Sequence, residues 1–600
     1  MKEQEEKSVL SVMRHSAEHV LMQAMKKVFG EDKIIMAMGP STDEGFYFDF
    51  DSPEGFEISE ENFGTIEAEM RKIKEMNQKF ERREISINDA RKLFKENQYK
   101  QEWLDEIEET GQKATVYANV DKEGNEVFVD LCKGPHVDST SQIGEFKLLS
   151  IAGAYWRGDE KNKMLTRIYG TTFKTKKELE QYLEMQEVAK ESDHRKLGKE
   201  LKLFVFSDLV GKGLPLWTER GATVRRELER FIVDEEIKRG YLHVYTPDLA
   251  SLNLYRTSGH YPYYKDTMYA PIKIDEEEFM LRPMTCPHHF ALYQSEIRSY
   301  KQLPMRIAEL AKLYRYEKSG ELTGLMRVRS FCLADAHIIC TQEQAEQEIK
   351  GALDLIEFAA SVLGFKANVD YRYRLSLGDR ENEKKYYKDD KAWDDAEEVL
   401  RSVLSEQKVD SYEAKDEAAF YGPKIDIQMK NVAGKEDTAF TVQYDFVMPK
   451  RFNLKYVDKD TQEKEPVVIH RSSIGAIERV MAFLIERYKG AFPTWLSPEQ
   501  VALVPIGEDN HAYADKLEKE LKEAGIRVLN DKRDEMMQGK IRDAQEMKIP
   551  YMLILGKREE EQGNVSIRFR DRKENVVMKF EEFKDKLLQN IKNRKLELDL

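Results

Sequence analysis

Between residues 305 and 340 the chain reads MRIAELAKLYRYE, a short polar connection containing glycine, and then MRVRSFCLADAHIIC. Two strand-patterned stretches joined this closely pair antiparallel, because a parallel crossover needs a dozen or more residues, usually a helix. YLHVYTPDL, KIDIQMK and AFTVQYDF add further strands, and many of the strands are separated by loops too short for crossovers. TVRRELERFIVDEEIKRG and SIGAIERVMAFLIERY have the spacing of helices. Residues 201–496 are therefore expected to form an antiparallel sheet flanked by helices.

Six hundred residues suit about three or four domains. Residues 1–175 mix the helical spacing of SAEHVLMQAMKKVF with the alternation of GFYFDFD and EVFVDL, an α/β pattern. The charged, proline-free stretch 176–200 predicts an exposed linker helix. After the proline-bearing GAFPTWLSPEQ, residues 497–600 alternate strand and helix, a small α/β domain. The whole is a multidomain α+β chain.

No apolar run reaches membrane-spanning length and the charged N-terminus lacks a signal-peptide core, so no membrane is expected. Four cysteines without a CxxC pair suit a reducing compartment, and the expected location is cytoplasmic. A net charge of −15 argues against a general nucleic-acid coat but not against a specific RNA partner.

LRPMTCPHHFALY crowds Cys286, His288 and His289 into four residues. Zinc ligands in one segment keep two or more residues between them, so these three do not wrap a single ion. If Cys286 is a ligand, its partners come from elsewhere. In the 305–340 segment, Arg315 and Glu317 fall at period two, and so do Arg327 and Arg329, ahead of Phe331. Arginine forks match phosphate and an aromatic ring can cover a base, but a solvated hairpin with cross-strand ion pairs fits the same pattern. No Walker A or GxGxxG is present. In the N-terminal region HxxxH (His15, His19) and CxxxH (Cys132, His136) could hold zinc or could be surface residues.

In order, RRELERFIVDEEIKRGYLHVYTPDL, the 305–340 hairpin and SSIGAIERVMAFLIERY resemble motifs 1, 2 and 3 of class II aminoacyl-tRNA synthetases. GAYWRGD, MLTRIYGT, AFYGPKID, FPTWLSPEQV and IPYMLILG narrow the resemblance to threonyl-tRNA synthetases, from about residue 8 to the end. The family's small N-terminal ubiquitin-like domain has no counterpart, which implies a shortened form.

The resemblance implies an editing domain at 1–175, a linker helix at 176–200, a class II catalytic domain at 201–496 and an anticodon-binding domain at 497–600. It implies a catalytic zinc held by Cys286, His337 and His470, and threonine contacts from Asp335 and Tyr421. ATP, with Mg²⁺, is expected to meet Arg315, Glu317, Arg327, Phe331, Gln443 and Arg479, with Arg315 and Arg479 stabilising the reaction. His15, His19, Cys132 and His136 are the implied editing residues, and Asp534, Glu559 and Arg568 the anticodon contacts. The implied partners are tRNA(Thr), ATP, L-threonine and a second copy of the chain through motif 1.

An editing site answers a chemical need. Zinc rejects valine, which has no hydroxyl, but serine differs from threonine only by a methyl, roughly 1–3 kcal/mol of discrimination. The chain departs from the family pattern at Leu333, Thr438, Ala439 and Ala476, and at His288, which stands where glycine is usual and is expected on a loop surface. Two alternatives are an RNA-binding regulator without aminoacylation and a class II enzyme for proline, serine or glycine. The intact motif arginines and zinc set oppose the first, and the zinc and editing residues oppose the second.

Overall fold

The structure is a computed structural model describing residues 2–42 and 44–600, and it forms two compact units, 1–186 and 187–600. No helix among the described residues is long and apolar enough to cross a membrane.

The larger unit is built on an eight-stranded sheet. From one edge to the other its strands are Leu242–His243, Met305–Tyr314, Ser330–Cys340, Val467–Ala476, Glu436–Asp445, Lys424–Lys430, Tyr371–Ser376 and Ser411–Ala414. Every pairing is antiparallel except the two at the edges. Period-two alternation divides the central strands. Ala334, Ala336, Ile338, Ile469, Phe440 and Val442 join the main apolar core, which also holds the buried face of the helix Ala345–Val362. Asp335, His337, His470 and Gln443 face the other way, onto a cavity. The register sets His470 between His337 and Gln443 on adjacent strands.

Gly475, next to last in the strand Val467–Ala476, has φ +69°, and a Cβ there would stand 2.3 Å from the Ala439 carbonyl oxygen. Glycine thus lets the strand turn directly into the helix Ile477–Tyr488, which carries Arg479.

A second sheet, ordered Val528–Asn530, Val501–Pro505, Tyr551–Leu555, Asn564–Phe569 and Asn575–Lys579, forms the C-terminal part of this unit. It is tied to the first by Arg220, which pairs with Glu499 and donates to the Met547 carbonyl at 3.1 Å.

The N-terminal unit has a four-stranded sheet, Ile35–Met38, Phe46–Asp51, Met164–Phe173 and Glu145–Tyr155 in spatial order. The apolar face of the helix Lys2–Phe29 packs against it through Val20, Leu21 and Ala24. A three-stranded sheet, Lys79–Ile85, Ala114–Val120 and Glu126–Leu131, leads to Cys132.

Three sequence expectations differ locally from the structure. The stretch 176–200 makes two helices, Lys176–Ser192 and His194–Glu200, the second capped by the Asp193 carboxylate. His194 is buried against Glu486 at 2.7 Å, so this second helix is packed, not exposed. Arg315, Glu317, Arg327 and Arg329 lie in the connection between Tyr314 and Ser330, not on the strands as their spacing suggested. His288 is not on a loop surface: Pro287 starts the helix Cys286–Gln294, whose first turn buries the His288 ring near Tyr255.

Candidate functional site

One cavity of about 610 Å³ opens on the polar face of the large sheet. Its floor holds Cys286, His337 and His470, all at most 6% exposed, with one donor atom from each within 4.8 Å of the others. Cys286 comes from the start of a helix and the two histidines from adjacent strands, brought opposite by register. A thiol and two imidazoles are a zinc-type donor set, and three protein donors leave a further coordination position. Burial pushes the Cys286 thiol up, with Asp335 and Asp445 adding to it, and holds His337 well below its ordinary value. The imidazole is thus neutral, as a ligand must be, and the thiol needs a cation to become a thiolate.

Each histidine is hydrogen-bonded on its other nitrogen. His470 Nε2 meets Asp445 Oδ2 at 2.7 Å, and His337 Nδ1 meets His289 Nδ1 at 2.8 Å. Asp445 and His289 were not legible as site residues. Asp445 gives no local motif, and His289 reads only as part of a crowded segment. Beside them, Tyr421 stacks on His470 at 5.0 Å and donates to Gln443 Oε1 at 2.6 Å. Asp335 also faces the cavity, its carboxyl raised by burial.

Arg315 and Arg479 occupy the other end. Both are half-buried and lowered by desolvation, Arg479 also by the nearby charges of Arg315 and Arg327. Arg315 donates through Nε to the Pro283 carbonyl at 3.2 Å, and its guanidinium carbon lies 5.2 Å from the Phe331 ring. Arg479 donates to the Met326 and Thr438 carbonyls. Glu317 stands 4.0 Å from Arg327. Among the described residues neither Arg315 nor Arg479 forms an ion pair with a carboxylate, so both could receive an anion in this cleft. Leu333, Thr438, Ala439 and Ala476 line the same cavity.

The N-terminal unit holds a second cavity of about 1020 Å³, lined by His15, His19 and Cys132. Cys132 Sγ lies 3.3 Å from both His15 Nε2 and His136 Nε2. His136 sits behind the cavity wall, stacked on Phe80 at 5.0 Å. The four residues bring donor atoms within 4.8 Å of one another, and His19 is 1% exposed, so this is no surface pair. Burial lowers His15, more strongly His19 and His136, and pushes Cys132 up to about 12. The sequence did not single out Glu18 or the buried Lys100–Asp130 pair (2.7 Å), which also line this cavity.

In the C-terminal sheet region Asp534 is exposed in a loop, and Glu559 accepts from the Gly556 N–H at 3.1 Å. Arg568 lies on the strand Asn564–Phe569 and donates to the Lys573 carbonyl at 2.7 Å. The three stand on separate elements.

Residues 269–488 match the model of the tRNA synthetase class II core domain (G, H, P, S and T), residues 500–590 that of the anticodon binding domain, and residues 115–169 that of the threonyl and alanyl tRNA synthetase second additional domain. A threonine–tRNA ligase of Streptococcus gordonii is 48% identical over 587 residues, covering 98% of this chain and 89% of the relative. One from Streptococcus suis is 48% identical over 584 residues, covering 97% and 88%. The crystal structure of the RNA binding domain of threonyl-tRNA synthetase from Cryptosporidium parvum superposes with a TM-score of 0.63 at 36% identity, covering 66% of this chain and 98% of that one.

Proposed function

Since the chain belongs to the threonine–tRNA ligase family, we propose that its two cavities divide that family's work. The sheet cavity activates threonine with ATP and transfers it to tRNA(Thr), and the N-terminal cavity hydrolyses mischarged seryl-tRNA(Thr). The chain is a class II synthetase with an editing-type second domain and an anticodon-binding domain. The observation that carries the residue-level reading is the meeting of a thiol–imidazole donor set and two poorly paired arginines in one cavity.

Cys286, His337 and His470 hold zinc, the ion their donor set fits. Zinc there would supply open coordination for the amino and hydroxyl groups of threonine, a demand for the hydroxyl that valine could not meet. Asp335 receives the threonine hydroxyl, and Tyr421 closes the side of the pocket.

Arg315 holds the α-phosphate and Glu317 contacts the adenine end. Phe331 stacks on the base, Arg479 clamps the γ-phosphate, and Arg327 and Gln443 complete the ATP contacts. The threonine carboxylate attacks the α-phosphorus, the bond to the bridging β-phosphate oxygen breaks, and pyrophosphate leaves, its charge one that Mg²⁺ bound with ATP would neutralise. The terminal ribose hydroxyl of tRNA then attacks the carbonyl carbon and displaces AMP, its proton passing to the departing phosphate. Catalysis is positioning and charge stabilisation.

In the second cavity, neutral His15 and His19 are poised to take a proton from water attacking a seryl ester, while His136 backs Cys132 from behind the wall. Cys132, protonated at pH 7, acts as a donor and not as a thiolate nucleophile. Asp534, Glu559 and Arg568 face the anticodon. A homodimer through the motif 1 region fits the exposure of Leu242 and Tyr245 (94%) at and just after the edge strand of the sheet. A cytoplasmic location fits the four free thiols.

ATP–pyrophosphate exchange across a panel of amino acids tests the reading. Exchange should depend on threonine, and Cys286→Ser should lose bound zinc and exchange together. Threonine-dependent exchange by metal-free Cys286→Ser overturns it.

A further inference from the structure

Glu309 lies in the strand Met305–Tyr314 and is 2% exposed. Its carboxylate oxygens accept the Thr246 backbone N–H (3.1 Å), the Thr246 hydroxyl (2.7 Å) and an Arg282 N–H (3.0 Å). The Thr246 N–H and Arg282 both donate to Oε1, and the buried Arg282 cation at 3.0 Å holds Glu309 as a carboxylate, which can only accept. Burial pushes it up, but the bonds from His289 and Thr246 and the Arg282 charge outweigh that and bring it down to about 2.

His289 Nε2 is the fourth neighbour of this carboxylate, at 3.3 Å, and must therefore carry a hydrogen. Its Nδ1 faces His337 Nδ1 at 2.8 Å, and two nitrogens at that distance share one proton. If His289 is neutral, its Nδ1 accepts, His337 Nδ1 donates, and His337 Nε2 keeps its lone pair. If His289 instead donates, the hydrogen of a neutral His337 moves to Nε2 and the ligand atom is blocked. Only the first arrangement lets His337 bind a metal. His470 is fixed in the mirror sense. Asp445 Oδ1 accepts two backbone N–H groups at 2.9 Å, and Oδ2 accepts from His470 Nε2, which leaves Nδ1 free.

We propose that Glu309 and His289 are positioning residues that set the tautomer of His337 through two successive hydrogen bonds, so that His337 ligates through Nε2 while His470 ligates through Nδ1. The proposal rests on Cys286, His337 and His470 being the zinc ligands. Neither Glu309 nor His289 touches substrate. They act through a ligand, as outer partners of metal-bound histidines do.

The test measures metal affinity, not activity. Zn²⁺ dissociation is followed by chelator competition, and Co²⁺ substitution adds the thiolate-to-cobalt absorption band of Cys286. In Glu309→Gln the amide oxygen stays with the Thr246 and Arg282 donors, and the amide N–H₂ turns to His289. That reverses both bonds and should weaken Zn²⁺ binding by about 10- to 100-fold. His289→Gln, which loses the acceptor for His337, should do the same. His289→Asn places an amide oxygen where Nδ1 stood and should stay within about threefold of wild type. In that background Glu309→Gln should cost nothing further, because the link is cut. His288→Ala, on the same helix but outside the relay, controls for damage to packing and should also stay within about threefold.

Circular dichroism checks that each variant folds, and the Asn/Gln pair at His289 carries the test if Glu309→Gln does not. A wild-type chain with no cobalt–thiolate band overturns the zinc reading itself. A normal band that vanishes in Cys286→Ser, with Glu309→Gln or His289→Gln binding as tightly as wild type, overturns the relay alone.

Discussion

Replacing Arg315 by alanine separates a catalytic cation from a structural one. The guanidinium has five N–H groups. One meets the Pro283 carbonyl at 3.2 Å, and among the described residues no other hydrogen bond to the side chain is present. Four donors thus remain for an anion in the cavity. Two charge-assisted bonds to an α-phosphate oxygen pair bring roughly 3–6 kcal/mol in total. Part of that is already made to ground-state ATP, so the share specific to the transition state should be about 2.7–4 kcal/mol, a loss of roughly 10²- to 10³-fold in kcat for adenylate formation. The fold should not suffer, because the desolvated cation has little internal compensation and its removal relieves as much as it costs. The melting midpoint should move by less than about 2 °C. Single-turnover formation of threonyl-adenylate, with calorimetry on the same sample, measures both. A loss below tenfold, an effect confined to KM for threonine, or a large drop in melting temperature with proportionate inactivation would each refute the reasoning.

Two further outcomes concern the N-terminal unit. His15→Ala with His19→Ala should keep threonylation near wild type while seryl-tRNA(Thr) accumulates, read by charging with labelled serine; unimpaired clearance would remove the editing role from these residues. Lowering the pH from 7 to 5 should destabilise this unit. Burial depresses His19 and His136 strongly and His15 less, so stability is full above 6.5 and is lost as pH falls and the unfolded chain takes up protons. Glu18, raised by burial, works in the opposite direction and offsets part of this loss. Each histidine held neutral contributes at most about 1.4 kcal/mol per pH unit below 6.5. Urea titration with hydrogen exchange of residues 9–186 should show it, and a flat profile would mean the histidines are not held neutral.

The sequence alone was enough for the antiparallel character of the large sheet, because short connections between period-two segments leave no room for crossovers. It was enough for the family too, since three ordered motifs span the catalytic domain. Through that resemblance it named Cys286, His337 and His470, which the structure brings within 4.8 Å. What it could not set was anything that depends on which strand lies beside which. Asp445 reaches His470 only because two strands run antiparallel in one register, and Glu309 reaches His337 only through a histidine delivered from a separate helix. Local pattern also misplaced Arg315 and Arg327 on strands, because period two persists in a connection held by hydrogen bonds such as that from the Arg315 N–H to the Arg329 carbonyl (3.0 Å). His288 read as a loop-surface residue because it stands where glycine is usual in the family, yet Pro287 lies in the first turn of a helix that faces inward. Sequence spacing fixes which residues share a face of one element. Which faces meet, and so which proton sits on which nitrogen, is decided only when distant segments pack and each buried polar atom must find its partner.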